Sequence, residues 1–275
     1  MTRAAPLPYS RRFDVIPHPA HQPPASVRAF PVGAPGTATL AEHVLATGHG
    51  TWWTDRPVRP RVIAVTSGRH ALLAGDPTAL APSDLAPLAG HRVEASTRFL
   101  PVLASAFALL HPWDRMLYLQ RTDPAAARVP RGTTVRRLRP EDGPSLAAAG
   151  LALGRTFATW GGPEGLARSG HGWAAFRKDR ALAVACSRFT GSRYEDVACA
   201  TDPTERRQHL ALACLAGLTA DIAGRGRTAT WSCSRENRAG RLLVWTAGFR
   251  LHREYVHHTT GPATVSGTSI LSAAA

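Results

Sequence analysis

The sequence predicts an α+β fold: a mixed central sheet with flanking helices over residues 133–258, preceded by a smaller α+β domain over residues 37–122. Three observations carry this reading. Leu210, Cys214, Leu218 and Ile222 recur every four positions, which places them on one buried face of a long helix. Before that helix, short apolar runs alternate with polar turns, the pattern of hairpin strands. After it come a strand, a helix and a strand, so a βαβ crossover follows the hairpins.

The 275 residues are enough for two domains. A hydrophobic content of 44% with 19% charged residues supplies a core and argues against disorder. Formal net charge is +14, and Lys178 is the only lysine. Arginine-rich composition has two sources. One is a coding bias toward Arg, Ala, Gly and Pro; the other is a polyanionic partner such as a phosphate-bearing cofactor, an acidic protein or nucleic acid. The charge is spread, +5 through residue 130 and +9 beyond it, with no basic block. That spread argues against nucleic acid.

Cys186, Cys199, Cys214 and Cys233 form no C-x-x-C pair, so no metal site is expected. Each sits in an apolar run as a small core residue, and reduced thiols point to the cytoplasm. Met1-Thr2-Arg3 leads into prolines rather than an apolar signal core. The longest apolar stretch, Pro101 to Leu110, is too short to cross a bilayer.

In chain order, residues 1–36 are a proline-rich arm. Thr39 to Thr47 reads as a helix. Arg61 to Thr66 and His70 to Gly75 are strands broken at Ser67-Gly68, a hairpin signal. Pro82 to Ala89 and Phe99 to Leu110 read as helices, the second stopped by Pro112, and Met116 to Gln120 as a strand. Residues 123–132 form a linker. Thr133 to Leu138 is a strand, and Pro140 opens a helix running to about Leu153. Phe157 to Ser169 is a broken helix. Gly172 to Arg177, Arg180 to Arg188 and Tyr194 to Ala200 are strands. The long helix runs from about Thr204 to Gly224 and ends on Gly224 and Gly226. Thr228 to Cys233 is a strand, Asn237 to Ala247 a helix, and Phe249 to Val256 the last strand. Residues 259–275 are a tail.

Three segments of the second half, about 120 residues in all, resemble the GNAT N-acetyltransferase family. They are Val135 to Asp142 (VRRLRPED), Asp202 to Ala211 (DPTERRQHLA) between a strand and the long helix, and Asn237 to Phe249, ending Ala247-Gly248-Phe249. The family pattern at the long helix is Arg/Gln-x-x-Gly-x-Gly/Ala. Arg206 and Ala211 match it, and His209 stands where glycine is usual. The first amides of that helix lack intrahelical partners and, with the helix dipole, cradle the pyrophosphate of acyl-CoA. The resemblance therefore implies acetyl-CoA or another acyl-CoA as donor, with contacts from Arg206, Arg207, Gln208, His209, Leu210 and Ala211. Asn237 matches a family asparagine that contacts pantetheine or phosphate, and is also suited to capping a helix. In the family the fourth strand parts from the fifth to admit pantetheine, which implicates the backbone at Val197, Cys199 and Thr201 and offers amides to an oxyanion. Cys199 reads as packing rather than as a nucleophile.

The resemblance implies direct transfer of an acyl group to a primary amine of a small molecule or peptide. A base must then take the amine's proton. Glu195 is favoured, with Asp196, Glu236 and His171 as alternatives. Where many members place a tyrosine acid this chain has Val244, followed by Trp245, so water or another residue protonates the thiolate. An acyl carrier protein is the alternative donor, its acidic surface suited to the +9 half. A non-catalytic acyl-CoA-binding module and an RNA-binding protein are the other classes. Small family members often dimerise, which leaves a homodimer open. The first half faintly resembles a second, degenerate copy of the same fold.

Overall fold

A single twelve-stranded sheet runs through the described residues. The computed structural model describes residues 16–20, 22–24, 30–149 and 157–264. The first half contributes β1 (Ile16–Pro19), α1 (Thr39–Thr47), β2 (Thr51–Thr54), β3 (Val62–Ser67), β4 (His70–Gly75), β5 (Arg92–Ala95), α2 (Leu100–Ala106) and β6 (Leu110–Gln120). The second contributes β7 (Thr134–Arg137), α3 (Gly143–Ala148), α4 (Pro163–Ser169), β8 (Gly172–Arg177), β9 (Arg180–Thr190), β10 (Tyr194–Thr201), α5 (Leu210–Gly224), β11 (Thr228–Ser234), α6 (Arg238–Thr246) and β12 (Phe249–Thr260).

The strand order is β1-β2-β3-β4-β5-β12-β6-β11-β10-β9-β8-β7. Match each strand of the first half with the one six places later and the order reads the same from either end. The two parallel pairs also correspond, β4 with β5 and β10 with β11. Each half thus lends its last strand to the other: β6 lies between β11 and β12, and β12 between β5 and β6. The molecule is two lobes of one topology.

The duplication reaches individual residues. β4 is followed by Asp76-Pro77-Thr78 and β10 by Asp202-Pro203-Thr204. Asp76 Oδ1 accepts from Thr78 N (3.0 Å) and Thr78 Oγ1 (2.8 Å). Asp202 Oδ1 accepts from Thr204 N (2.9 Å) and Thr204 Oγ1 (2.7 Å). Each aspartate also pairs with an arginine at the start of the preceding strand, Arg61 and Arg180. The lobes then diverge. The second builds the 15-residue α5, whereas the first carries a 3-10 turn over Pro82–Leu88. Pro87 lies inside that turn, where a missing N–H and the ring's clash forbid an α-helix.

α5 and α6 pack on one sheet face, in a core that includes Leu210, Cys214, Leu215, Leu218, Ile222, Trp231, Val244 and Phe249. Gly217 lets α5 approach β8, since a Cβ there would meet the Trp173 ring at 2.4 Å. α3, α4 and the 3-10 turn before α4 cover the other face through Leu146, Leu166, Phe157 and Trp160. α1 lies on that face too, packing Leu40 and Val44 against Ile63, Val65 and Phe189 of β9.

Several expected elements shift, for identifiable reasons. Pro82 to Ala89 is not α-helical. The helix expected from Phe99 to Leu110 ends at Ala106, and β6 begins at Leu110. Pro112 does not interrupt β6, because β11 pairs only with Arg115 to Leu119 and leaves Pro112 on an open edge. The long helix starts at Leu210 rather than Thr204, since Asp202 caps a separate 3-10 turn at Pro203–Glu205. The Pro140 helix comprises a 3-10 turn and α3, and its expected end lies outside the described residues. β12 continues to Thr260, past the expected tail boundary. Residues 121–133 carry no helix or strand, with Ala127 and Val129 packed on the α5–α6 core.

Candidate active site

β10 and β11 pair in parallel from Tyr194↔Thr228 to Val197↔Trp231 and then part. Ala198 to Thr201 remain bonded to β9 alone, so the β10 edge that faced β11 offers unpaired amides and carbonyls. Unpaired backbone at a cleft is a template for an extended ligand. A β-bulge at Asp196/Val197 marks the parting.

The N-terminus of α5 closes one side of this slot and α6 the other, enclosing a cleft of about 790 Å³. Cys199, Thr201, Arg206, Arg207, Gln208, His209, Leu210, Ala211 and Asn237 all line it, so nine residues expected at a donor site converge in one place. Val197 does not; it is 1% exposed and packs in the core beneath, as the last residue still paired with β11. Trp231, Leu242, Leu243 and Thr246 also line the cleft, and nothing in their spacing marks them before the sheet register is known. The Trp231 indole N–H is buried beside the Cys233 thiol.

The loop into α5 has unusual backbone. Arg207 has φ +63° and His209 φ +58°, with ψ +10°. His209 thus adopts the left-handed conformation for which glycine is the usual residue. Its imidazole is exposed at the rim and does not fill the cradle. The loop is pinned from below. Glu205 accepts from Arg177 Nη1 (2.9 Å) and Nη2 (3.1 Å) and from Gln208 Nε2 (3.1 Å). Arg206 and Arg207 stay exposed. The amides of Leu210, Ala211 and Leu212, in the first turn of α5, have no intrahelical acceptor. Opposite them Asn237 caps α6, its Oδ1 accepting from Gly240 N at 2.9 Å.

Glu195 is not placed to act as a base, which corrects the sequence expectation. It is 0% exposed and does not line the cleft. Its carboxylate accepts from Arg225 Nε and Nη2 (2.9 Å each), Arg227 Nη1 (3.1 Å) and Ser187 Oγ (2.5 Å). His171 Nδ1 stands 3.3 Å away. Burial opposes its charge, but the hydrogen bonds from His171, Arg225 and Ser187 outweigh it and hold the carboxyl well below the usual carboxylate range. A group so acidic takes no proton from an amine. Asp196 is equally buried, on Arg188 and the hydroxyls of Thr230 and Ser232. His171 stacks on Trp160, with centroids 5.1 Å apart. Glu236 is exposed beyond the end of β11.

Val244 lies in the core, and Trp245, 58% exposed, carries the Arg250 guanidinium 4.0 Å from its ring centroid. Trp245 lines a neighbouring groove with Met116, Tyr118, Arg238, Arg241 and Leu251, not the donor cleft. Burial pushes the Cys199 thiol up to about 12, so it holds its proton and is no nucleophile. Among the described residues no group of His, Cys, Asp and Glu is placed to hold a metal ion, and no helix is long and apolar enough to cross a membrane.

A family model described as GNAT acetyltransferase matches residues 130–258. An uncharacterized N-acetyltransferase of Streptomyces virginiae, from the mutA 5′ region, is 54% identical over 208 residues, covering 75% of this chain and 88% of that protein. Among solved structures, a GCN5-related N-acetyltransferase-like protein of Streptococcus suis superposes with a TM-score of 0.62 at 16% identity, over 78% of this chain and 90% of that one. A tandem GNAT protein from the clavulanic acid biosynthesis pathway superposes with a TM-score of 0.56 at 12% identity, over 89% and 97%. These structures share the two-lobed fold with this chain.

Proposed function

The chain belongs to the GNAT acetyltransferase family and is an acetyltransferase, and from that premise we propose that it moves an acetyl or other acyl group from acyl-CoA to a primary amine of a small molecule or peptide by direct transfer. The observation that carries the donor is the parting of β10 from β11 directly beside the α5 N-terminus.

The pantetheine amides pair with the free edge of Ala198 to Thr201, and the pyrophosphate lies on the first amides of α5. Arg206 and Arg207 add positive charge at the rim, and the Asn237 amide faces the cleft. The amine nitrogen attacks the thioester carbon, and the carbonyl oxygen gathers negative charge, which the β10 amides stabilise. The C–S bond then breaks and CoA leaves as the thiolate. The titratable groups lining the cleft are Glu205, held by Arg177, and His209 at the rim, besides the Cys199 thiol and the two arginines. The amine proton passes to water, and water returns one to the thiolate. The four free cysteines fit a reducing, cytoplasmic setting.

Thermal-shift titration with CoA, acetyl-CoA and longer acyl-CoAs at fixed salt tests the donor. A ligand that binds only the folded state adds about 2.7 kcal/mol of stability at a hundredfold excess over its Kd. The ranking by chain length names the acyl group, and no shift with any of them refutes acyl-CoA.

A carrier-protein donor is a second reading, favoured by one observation. Beside the cleft mouth, Leu242, Trp245 and Leu251 are exposed next to Arg238, Arg241 and Arg250. An apolar patch with an arginine rim suits an acidic partner. Turnover with an acyl carrier protein, lowered by Trp245→Glu while acyl-CoA turnover persists, supports it; no turnover with the carrier rules it out.

A further inference from the structure

Across the sheet from the donor cleft lies a buried cation with no carboxylate at ion-pair distance among the described residues. Side chains alternate along β6, so Met116 and Tyr118 enter the α5–α6 core while Trp113 and Arg115 face the other side. Arg115 is 4% exposed. Its Nη2 donates to the Ser232 carbonyl at 2.8 Å, the Tyr255 side chain also hydrogen-bonds the guanidinium, which lies 4.2 Å from the Trp113 ring centroid, and its Nε has no hydrogen-bond partner. Among the described residues no carboxylate stands within ion-pair distance of it. Asp196, whose charge reaches it, is held by Arg188, Thr230 and Ser232.

Two buried histidines share this layer, His70 and His257, in rings 6.1 Å apart; His257 Nε2 donates to Glu94 at 3.1 Å, which leaves its Nδ1 as an acceptor. His257 packs on Tyr255 at 5.0 Å and on Trp113 at 6.5 Å. Buried polar atoms are normally satisfied, and a buried guanidinium with no ion-pair partner and a free Nε–H points to a ligand that supplies an acceptor and one negative charge. The position relative to the donor is set by register. Ser232, which Arg115 grips, is the first β11 residue beyond the last β10–β11 pair, so Arg115 is tied to the strand where the slot opens. An open groove lined by Arg69, Arg92, His111 and Trp113 adjoins it on the same face.

We propose that Arg115 binds a carboxylate of the acceptor, so that the substrate is an amine that is also a carboxylic acid. This rests on the acyl-transfer reading and names its substrate class. A single unpaired guanidinium matches one carboxylate in charge and in its planar two-donor geometry, whereas a phosphate dianion brings one charge too many.

The test compares β-alanine and L-lysine with their decarboxylated counterparts, ethylamine and 1,5-diaminopentane, at fixed acetyl-CoA. The acids should be acetylated with kcat/KM about ten- to a hundredfold higher, the value of a hydrogen bond to a charged group. Arg115→Gln should raise KM for the acids by a similar factor and leave the amines unchanged, with Arg115→Lys intermediate because it keeps the charge and loses the fork. Acetyl-CoA thermal shifts on each variant confirm that the donor site is folded, so failure of donor binding is distinguishable from failure here. Equal turnover of acids and amines, or equal loss of both in Arg115→Gln and Arg115→Lys, overturns the proposal. If none of the four is acetylated, stabilisation of the wild-type protein by β-alanine but not by ethylamine, lost in Arg115→Lys, supports it, and no such difference overturns it.

Discussion

Arg225 grips Glu195 with both edges of the carboxylate, Nε to Oε1 and Nη2 to Oε2, each at 2.9 Å. Arg225 and Arg227 lie between α5 and β11, and Glu195 lies on β10, so the pair ties the end of α5 to the strands that part at the slot. Removing one partner of a buried ion pair costs about 3–5 kcal/mol, because the other charge is left uncompensated. Glu195→Gln should therefore lower stability by about that much in urea melts, while the folded fraction retains its pH–rate profile. Loss of a pH–rate limb without loss of stability would restore Glu195 as the base. The sign in pH follows from its depressed pKa. The stability it contributes is present above the ordinary glutamate range and is lost as pH falls below that range.

His209 holds a left-handed backbone at φ +58°. That conformation costs a side-chain-bearing residue roughly 1–2 kcal/mol, which glycine avoids. Comparison of His209→Gly with His209→Ala isolates the backbone, since both delete the imidazole. The glycine variant should be more stable than the alanine variant by about 1 kcal/mol in thermal melts, with CoA affinity no weaker than wild type. A fall in CoA affinity common to both variants would show that the imidazole donates to the phosphates.

Much of this was legible in the sequence, for physical reasons. The four-residue recurrence from Leu210 to Ile222 reports helix burial directly, and all four are buried in α5. Asp202 to Ala211 marked the loop that lines the cleft because helix-start chemistry is local. Glu195 was misjudged because strand alternation says which residues share a face, not what covers it. Arg225 and Arg227 are 30 and 32 residues away, and only the fold brings them to the carboxylate. Trp231 and the α6 residues Leu242, Leu243 and Thr246 were likewise invisible, since they meet Cys199 only where β11 leaves β10. The exchange of β6 and β12 between lobes has no local signal at all. The repeated Asp-Pro-Thr was present in plain letters, but its meaning depends on Arg61 and Arg180, which sit at different separations from it.

His43 of α1 is buried between the lobes. Its Nε2 donates to the Thr159 carbonyl (3.1 Å) and its Nδ1 accepts from Thr190 N (3.3 Å), which requires the neutral ring. Burial lowers its pKa to about 4. The unfolded chain, with a histidine pKa near 6.5, then binds more protons than the folded chain between those values, so stability rises with pH across that window. Acidification from about pH 6.5 toward 4 should erode stability, by at most about 1.4 kcal/mol per pH unit for this group. His70 and His257, also lowered mainly by burial, add to the slope. Urea midpoints between pH 7.5 and 5 measure it, and His43→Gln should flatten the decline. An unchanged slope would mean that His43 stays accessible to protons in the folded protein.

The first lobe repeats the topology but not the slot. β4 pairs with β5 along the whole of β5, from His70↔Arg92 to Leu73↔Ala95, so no parting exposes backbone there. Where the second lobe has α5 and an open cleft, the first has the 3-10 turn at Pro82–Leu88, with Leu80, Leu85 and Leu88 closing the space to a void of about 20 Å³. That volume is enough for roughly one water and far too little for pantetheine. Isothermal titration with CoA should therefore give one site per chain. Leu85→Ala, which opens the first lobe, should cost about 2–5 kcal/mol of stability without creating a second site, because no helix start with free amides lies beside it. Two equivalents of CoA per chain would mean that the first lobe opens in solution and that its Asp-Pro-Thr turn still serves a donor.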